Sequence, residues 1–248
     1  METGLAGQKT AALVACHIIW RELAAVLPES PLKVTPVFLP QGLHDQPAIL
    51  QQKLQAQIDL LDGRYDYILL GYGLCSNGIS GLMAQRSKLI VPRAHDCITL
   101  ILGSKTDYSR LFAAHPGTYW FNLGWLETGS LPGPEWLADR RTTFLAHYED
   151  EDTVDYLIEQ DWHWIREYRS IGLIDQPDLP QPAGAKAALH QAATTAAEYL
   201  HWSIVPLEGH LGLLRDLVQA NWSDDQFLVL NPGERLAPSY DASIIKGV

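Results

Sequence analysis

The first hundred residues alternate between short apolar runs and segments of helical periodicity, and that alternation leaves few folds open. Ala11 to Cys16 is apolar and free of breakers, as a buried strand would be. His17 to Leu27 places Ile18, Ile19, Leu23, Ala24 and Leu27 at helical spacing, and Pro28 and Pro31 close it. Val34 to Leu39 reads as a second strand, with Pro36 pointing to an edge or a bulge. A helix starting near Pro47 carries Ile49, Leu50, Leu54, Ile58 and Leu61 on one face. Tyr65 to Leu70 and Lys88 to Val91 are the third and fourth strands, and a helix is expected from Ile98 to Leu102. This order predicts an α/β, Rossmann-like fold: a mostly parallel sheet, helices on both faces, and a site at the carboxyl ends of the strands.

The second half is read more coarsely. Gly117 to Leu123 is a predicted strand, Gly129 to Pro134 a turn, Thr153 to Ile171 a long helix, and Gln176 to Pro182 a linker with three prolines. Ala183 to Leu200 is an alanine-rich helix. Trp202 to Val205 and Phe227 to Leu230 are strands flanking a helix from Leu211 to Trp222, read as a late unit of the same sheet. The expected organisation is one domain over 10–248, with 130–200 as a helical insertion or lid and 1–9 as a loose tail.

Composition narrows the function. The net charge of −11 over 248 residues repels phosphate backbones and argues against nucleic acid. No apolar run reaches the roughly 20 residues of a membrane span. The N-terminal residues show no secretory pattern, and the expected location is the cytoplasm. Three cysteines, Cys16, Cys75 and Cys97, do not suggest a disulfide framework in such a chain.

Those cysteines carry the chemical expectation. Each falls at the end of a predicted strand, at one edge of the sheet, together with His44 and His95. Thiolates bind zinc, iron and iron–sulfur clusters, and imidazole suits zinc and iron. Single ligands spread over the chain build a site within the fold rather than a zinc knuckle, and three ligands with an open position match a catalytic metal. The expected metal ligands are therefore Cys16, Cys75 and Cys97, with His95 or His44 as a fourth. Two other readings stay open. Gly71-Tyr-Gly-Leu-Cys75-Ser-Asn-Gly78 resembles a strained turn presenting Cys75 as a nucleophile, with His95 as base, Asp96 as orienting group, and amides at Gly73 and Ser76 for an oxyanion. Gly71 and Gly73 could equally cradle an anion, and Arg93 could pair with an anionic substrate. Alternatively the cysteines are inert core residues of a non-catalytic accessory or ligand-binding module. Asp96 is also a natural cap for the next helix. Glu208 and His210 are weaker additions to the same edge, and His17 reads as structural.

Ala15-Cys16, Leu43-His-Asp-Gln-Pro47, Gly71-Tyr-Gly-Leu-Cys75, Pro92-Arg-Ala-His-Asp-Cys-Ile98, Leu102-Gly-Ser104 with Tyr108, and Pro116-Gly-Thr-Tyr119 with Gly124-Trp125 resemble the domain-of-unknown-function family 1638. The resemblance runs over roughly 11–220 and leaves 221–248 as an extension. It implies that the cysteine-bearing segments are the family's distinctive ones. It also implies a setting beside corrinoid-dependent methyl transfer, with a small-molecule substrate and a corrinoid or methyltransferase protein as partner. The combined expectation is a metal-dependent transferase holding zinc, iron or a [4Fe–4S] cluster.

Overall fold

The computed structural model describes residues 7–129 and 131–248. Most of the expected N-terminal tail, residues 1–6, and position 130 of the expected insertion lie outside the described residues. The chain divides into two compact units. One comprises 1–109, 177–180 and 209–248; the other comprises 110–176 and 181–208.

The first unit opens with β1 (Thr10–Cys16), whose residues Ala11 to Ala15 are all fully buried. A strand covered on both faces shows no polar alternation, which explains its uninterrupted apolar run. After a 3-10 turn comes α1 (Trp20–Val26), then β2 (Lys33–Leu39) and α2 (Pro47–Leu61). Pro47 occupies the first turn of α2, where its missing N–H costs nothing. Leu50, Leu54 and Ile58 form the buried face, while Ile49 at its margin is exposed. β3 (Tyr67–Gly71) and β4 (Lys88–Pro92) follow, then α3 (Cys97–Leu102) and α4 (Lys105–Ala114).

The second unit holds β5 (Thr118–Phe121), α5 (Leu123–Thr128), α6 (Pro134–Leu145), α7 (Glu151–Trp162), β6 (Ser170–Asp175), α8 (Ala185–Leu200) and β7 (Ser203–Glu208). Its sheet runs β5-β6-β7, all parallel. Phe121, Leu123, Ile171 and Leu173 are buried with Leu189, Ala193, Ala196 and Ala197 of α8. The alanines of that helix let it lie close to the strands.

The chain then returns to the first unit with α9 (Gly212–Val218), β8 (Phe227–Leu230), β9 (Leu236–Pro238) and β10 (Ile245–Gly247). The central sheet has the order β2-β1-β3-β4-β8. The first four strands are parallel and β8 runs antiparallel to β4. β2 is an edge strand, so Pro36 removes no ladder bond from the interior. The mixed α/β fold with a mostly parallel sheet is as the sequence implies.

Three expectations change. The helix expected over 153–171 stops at Trp162. A 3-10 turn follows, and Ser170–Asp175 is the central strand of the second sheet. Ile165 and Tyr168 keep the helical period by coincidence, and five buried residues in Ser-Ile-Gly-Leu-Ile decide for the strand. The unit expected over 202–230 does not belong to one sheet: β7 joins β6, whereas β8 joins β4. Helices α4 and α5 fill stretches where no helix was expected, while α6 lies within the stretch expected as a helical insertion.

Candidate functional site

Three strand ends of the first unit define the site. Cys16 is the last residue of β1. Ala15 is in register with Gly71, so the next residues, Cys16 and Tyr72, leave adjacent parallel strands side by side. A Cβ on Gly71 would lie 2.6 Å from the Ala15 Cβ, so glycine allows the two strands to close up just before the site.

Beyond β3 and β4 the two connections stay paired. The Leu74 amide donates to the Ala94 carbonyl at 2.8 Å, and the Cys75 amide to the His95 carbonyl at 2.9 Å. This pairing carries Cys75 to within two residues of Cys97. It needs Gly73, because a Cβ there would sit 2.5 Å from the Asp96 nitrogen and 2.7 Å from its Cα. The chain then turns sharply. Cys75, Ser76 and Asn77 all have positive φ, at 47°, 56° and 66°. Left-handed backbone costs an L-residue about 1–2 kcal/mol, and three such residues in a row is stored strain of the kind found at functional sites.

The three sulfurs bear on one another. Burial is the largest cause raising each thiol above its ordinary value, and the neighbouring charges add to it. Cys75 is pushed up to about 12 by burial, then by the Asp96 carboxylate and by Cys16. Cys97 is raised well above the usual range by burial, then by Asp96, Cys75 and Cys16. Cys16 is raised by burial. Backbone amides act in the opposite sense: those of Ile18 and His17 favour the Cys16 thiolate, and those of Gly73 and Cys97 favour the Cys75 thiolate. All three thiols are free.

Tyr72 lies among them. It is 3% exposed, and all three cysteines raise its hydroxyl in addition to burial, which is the largest cause. The oxygen is close enough to Cys16 for each to affect the other's ionisation, yet it has no hydrogen-bond partner of proper geometry. Nothing in the sequence marked Tyr72 except its place one step past a strand.

The remaining candidates are held by contacts of their own. Asp96 caps α3, accepting from the Thr99 amide at 3.1 Å and the Thr99 hydroxyl at 3.3 Å through Oδ1. Its Oδ2 accepts from the Tyr108 hydroxyl at 2.9 Å. His95 is exposed, with its imidazole stacked on Tyr108 at 5.6 Å. His44 follows β2 at the same sheet edge and pairs with Asp45 at 3.3 Å. His17 is exposed and packs its ring near Trp20 and Phe38. Glu208 ends β7, a strand of the second unit's sheet.

Arg93, expected to pair with an anionic substrate, is held by backbone carbonyls. Its Nε donates to the Asp224 carbonyl at 2.7 Å, and its Nη1 donates to the carbonyls of Ser243 (3.0 Å) and Ile245. It ties the C-terminal segment to the end of β4. Arg93→Ala would leave these carbonyls without their donor. A loss of about 1–3 kcal/mol in urea unfolding is expected, with faster proteolysis of residues 224–248. A variant as stable and as protease-resistant as the wild type would contradict this assignment.

Among the described residues no group of three His, Cys, Asp or Glu side chains already stands arranged to hold a metal ion. The three cysteines are donors of the right chemical kind, and burial raises each thiol above its ordinary value. An open groove of about 610 Å³ lies at the opposite edge of the sheet, lined by Lys9, Arg64, Arg86 and Lys88 among others. It holds none of the cysteines.

A family model described as "Protein of unknown function (DUF1638)" matches residues 38–218. The chain belongs to this family. The DUF1638 match contains Gly71, Tyr72, Gly73, Cys75, Asp96 and Cys97, while Cys16 precedes it and β8 to β10 follow it. No curated protein and no solved structure matches the chain.

Proposed function

We propose that Cys16, Cys75 and Cys97 form the ligand set of a thiolate-bound zinc, iron or [4Fe–4S] centre with one position left open, serving a small-molecule methyl or group transfer. The observation that carries this reading is the convergence itself. Cys16 ends β1, and Cys75 and Cys97 lie just past the ends of β3 and β4, where the Cys75 amide donates to the His95 carbonyl at 2.9 Å. The strand order β2-β1-β3-β4 supports the location. In open parallel sheets of Rossmann-like type, ligands bind where the order reverses, which here falls between β1 and β3, at Cys16 and Tyr72.

Burial favours a metal over a free nucleophile. Burial and the nearby Asp96 carboxylate raise the Cys75 thiol, which disfavours it as an unaided nucleophile at neutral pH. A bound metal deprotonates its thiols outright and removes the burial penalty by neutralising their charge. The backbone amides at Cys16 and Cys75 would then donate to charged sulfurs, the outer shell that thiolate centres use. When bound, such a centre supplies an open Lewis-acidic position. The protein's own residues would hold it, exclude water through the apolar ends of β1, β3 and β4, and keep Asp96 directed at Thr99 and Tyr108. A corrinoid or methyltransferase protein as partner remains part of the proposal.

The test is elemental analysis and a visible spectrum on protein purified without oxygen. Stoichiometric zinc or iron supports the reading; a protein that holds neither, and takes up neither on anaerobic reconstitution, overturns it. Titration gives a second check on the metal-free protein. Folding raises the thiols, so the folded chain keeps protons that the unfolded chain releases above about pH 8.5. Their stabilising contribution is complete below that pH and is lost as pH climbs through the folded values. Metal-free protein should therefore resist iodoacetamide at pH 7 and lose stability between pH 8.5 and 11. Rapid, selective alkylation of Cys75 at pH 7 would instead favour the nucleophile.

A further inference from the structure

We propose that the groove at the amino edge of the central sheet binds a small anion carrying two or more linked phosphate groups. This site holds none of the cysteines and stands or falls independently of the metal-centre reading.

Charge gives the first sign. The chain carries 29 acidic and 18 basic side chains, so a cation with no carboxylate beside it needs a reason. Among the described residues, Arg64, Arg86 and Lys88 are exposed, make no ion pair or side-chain hydrogen bond, and line one groove of about 610 Å³. That volume is typical of a small-ligand site. Lys9 joins them. Asp66, the carboxylate in the lining, is already engaged: it accepts from the Lys9 ammonium at 2.7 Å and from the Thr10 amide at 2.9 Å. A second concavity of about 300 Å³ shares Thr10, Arg64 and Tyr65 with the groove and adds Lys33. Strand order explains the gathering. Lys33 and Lys88 open β2 and β4, and Lys9 precedes β1. Neighbouring strands lie about 4.8 Å apart, so the cations form a row along the edge.

The cations stand on fixed backbone. The Asp62 carboxylate accepts from the amides of Gln85, Arg86 and Ser87 at 2.8, 3.0 and 2.7 Å. The buried Ser87 hydroxyl donates to the Tyr65 carbonyl at 2.7 Å and accepts from the Gly63 amide at 2.9 Å. These bonds clamp the loop before β3 to the loop before β4. Gly63 turns with a φ of 77° and lets Arg86 lie across it, since a Cβ there would sit 2.7 Å from the Arg86 Cδ. A guanidinium fork pairs with two oxygens at once, so two arginines beside lysines suit a run of phosphate oxygens better than a lone carboxylate. A long nucleic acid is disfavoured by the chain's net charge of −11. Tyr65 and Tyr67, half-buried in the same lining, offer apolar surface to the rest of such a molecule. The Tyr67 ring is held edge-on to Trp222 at 4.9 Å.

Calorimetric titration of inorganic pyrophosphate and of adenosine diphosphate into the full chain, at low salt and without magnesium, tests this. Saturable one-to-one binding is expected, and it should weaken as salt is added. Arg64→Gln and Arg86→Gln should each weaken it about 10- to 100-fold. Their melting temperatures should match the wild type, because neither guanidinium has a partner within the protein. Lys88→Gln repeats the test should either arginine variant be destabilised. Lys53→Gln removes an exposed cation of α2 that lies outside the groove, and it should bind as the wild type does. So should Cys97→Ala. Absence of saturable binding, or an equal loss in Lys53→Gln, overturns the site. Loss of binding in Cys97→Ala would place the phosphates at the cysteines and overturn it as well. A glutamate-rich peptide that binds more tightly than either probe would give the groove to an acidic partner protein and overturn the phosphate ligand. Failure of the chain to bind metal would sink the metal-centre reading and leave this expectation unchanged.

Discussion

Cys97→Ala should abolish metal binding and leave the fold intact. Protein purified and reconstituted without oxygen is expected to fall from about stoichiometric zinc or iron to background, and any band near ~400 nm from an iron–sulfur centre should vanish. The effect is large because burial holds Cys97 in its protonated form, with Asp96 and both other cysteines acting in the same sense. Only a group that offers the sulfur a positive charge can reverse that balance. The fold should survive, because the change removes one small, half-buried sulfur. Cys97 opens α3 but does not cap it, and the cap at Asp96 is untouched. A loss of about 1–2 kcal/mol or less in the metal-free protein is the ordinary consequence of so small a cavity. Metal retained at full stoichiometry in Cys97→Ala would remove the thiol from the ligand set and with it the three-cysteine reading. Cys16→Ala extends the comparison. Equal loss of metal there would make the site a property of three strands, whereas retention would confine it to the segments inside the DUF1638 match.

How much of this was open to sequence reading depends on which interactions are local. β1, β3 and β4 are short and buried on both faces, so their apolar runs stand out without any periodicity, and the prolines at 28, 31 and 36 punctuate the elements around them. Placing cysteines at the ends of those strands followed directly. The role of Arg93 did not. Its partners lie 131 to 152 residues away along the chain, and a lone arginine at a strand end looks the same whether it binds an anion or three carbonyls. Tyr72 was hidden for a related reason. An aromatic residue after a strand reads as core, and only the register of β1 against β3 sets Tyr72 beside Cys16. β6 was lost because Ile165 and Tyr168 extend the period of α7 past its true end at Trp162, and periodicity cannot register a 3-10 turn that breaks the helix without a proline or glycine.

Gly73→Ala is the substitution that should separate Cys75 from Cys97 without touching either. The added methyl would lie 2.5 Å from the Asp96 nitrogen, 2.7 Å from its Cα and 2.9 Å from its carbonyl carbon. These are backbone atoms, fixed on one side by β4 and on the other by α3, so they cannot swing aside as the end of a flexible side chain would. Relief must come from the loop after β3, and moving it breaks the bonds from Leu74 to Ala94 and from Cys75 to His95. Overpacking of this kind typically costs about 1–3 kcal/mol, and two exposed or stretched backbone bonds add to that. The three left-handed residues that follow give the loop little freedom to compensate, since each already sits in a restricted well. The expected result is a drop in the urea midpoint of the metal-free protein, together with a loss of metal affinity larger than the drop in stability alone would produce. The excess arises because the displaced residue carries a ligand. If Gly73→Ala matched the wild type in stability and in metal content, the close approach of the two loops would not be what assembles the site, and Cys75 would have to reach Cys97 by another route.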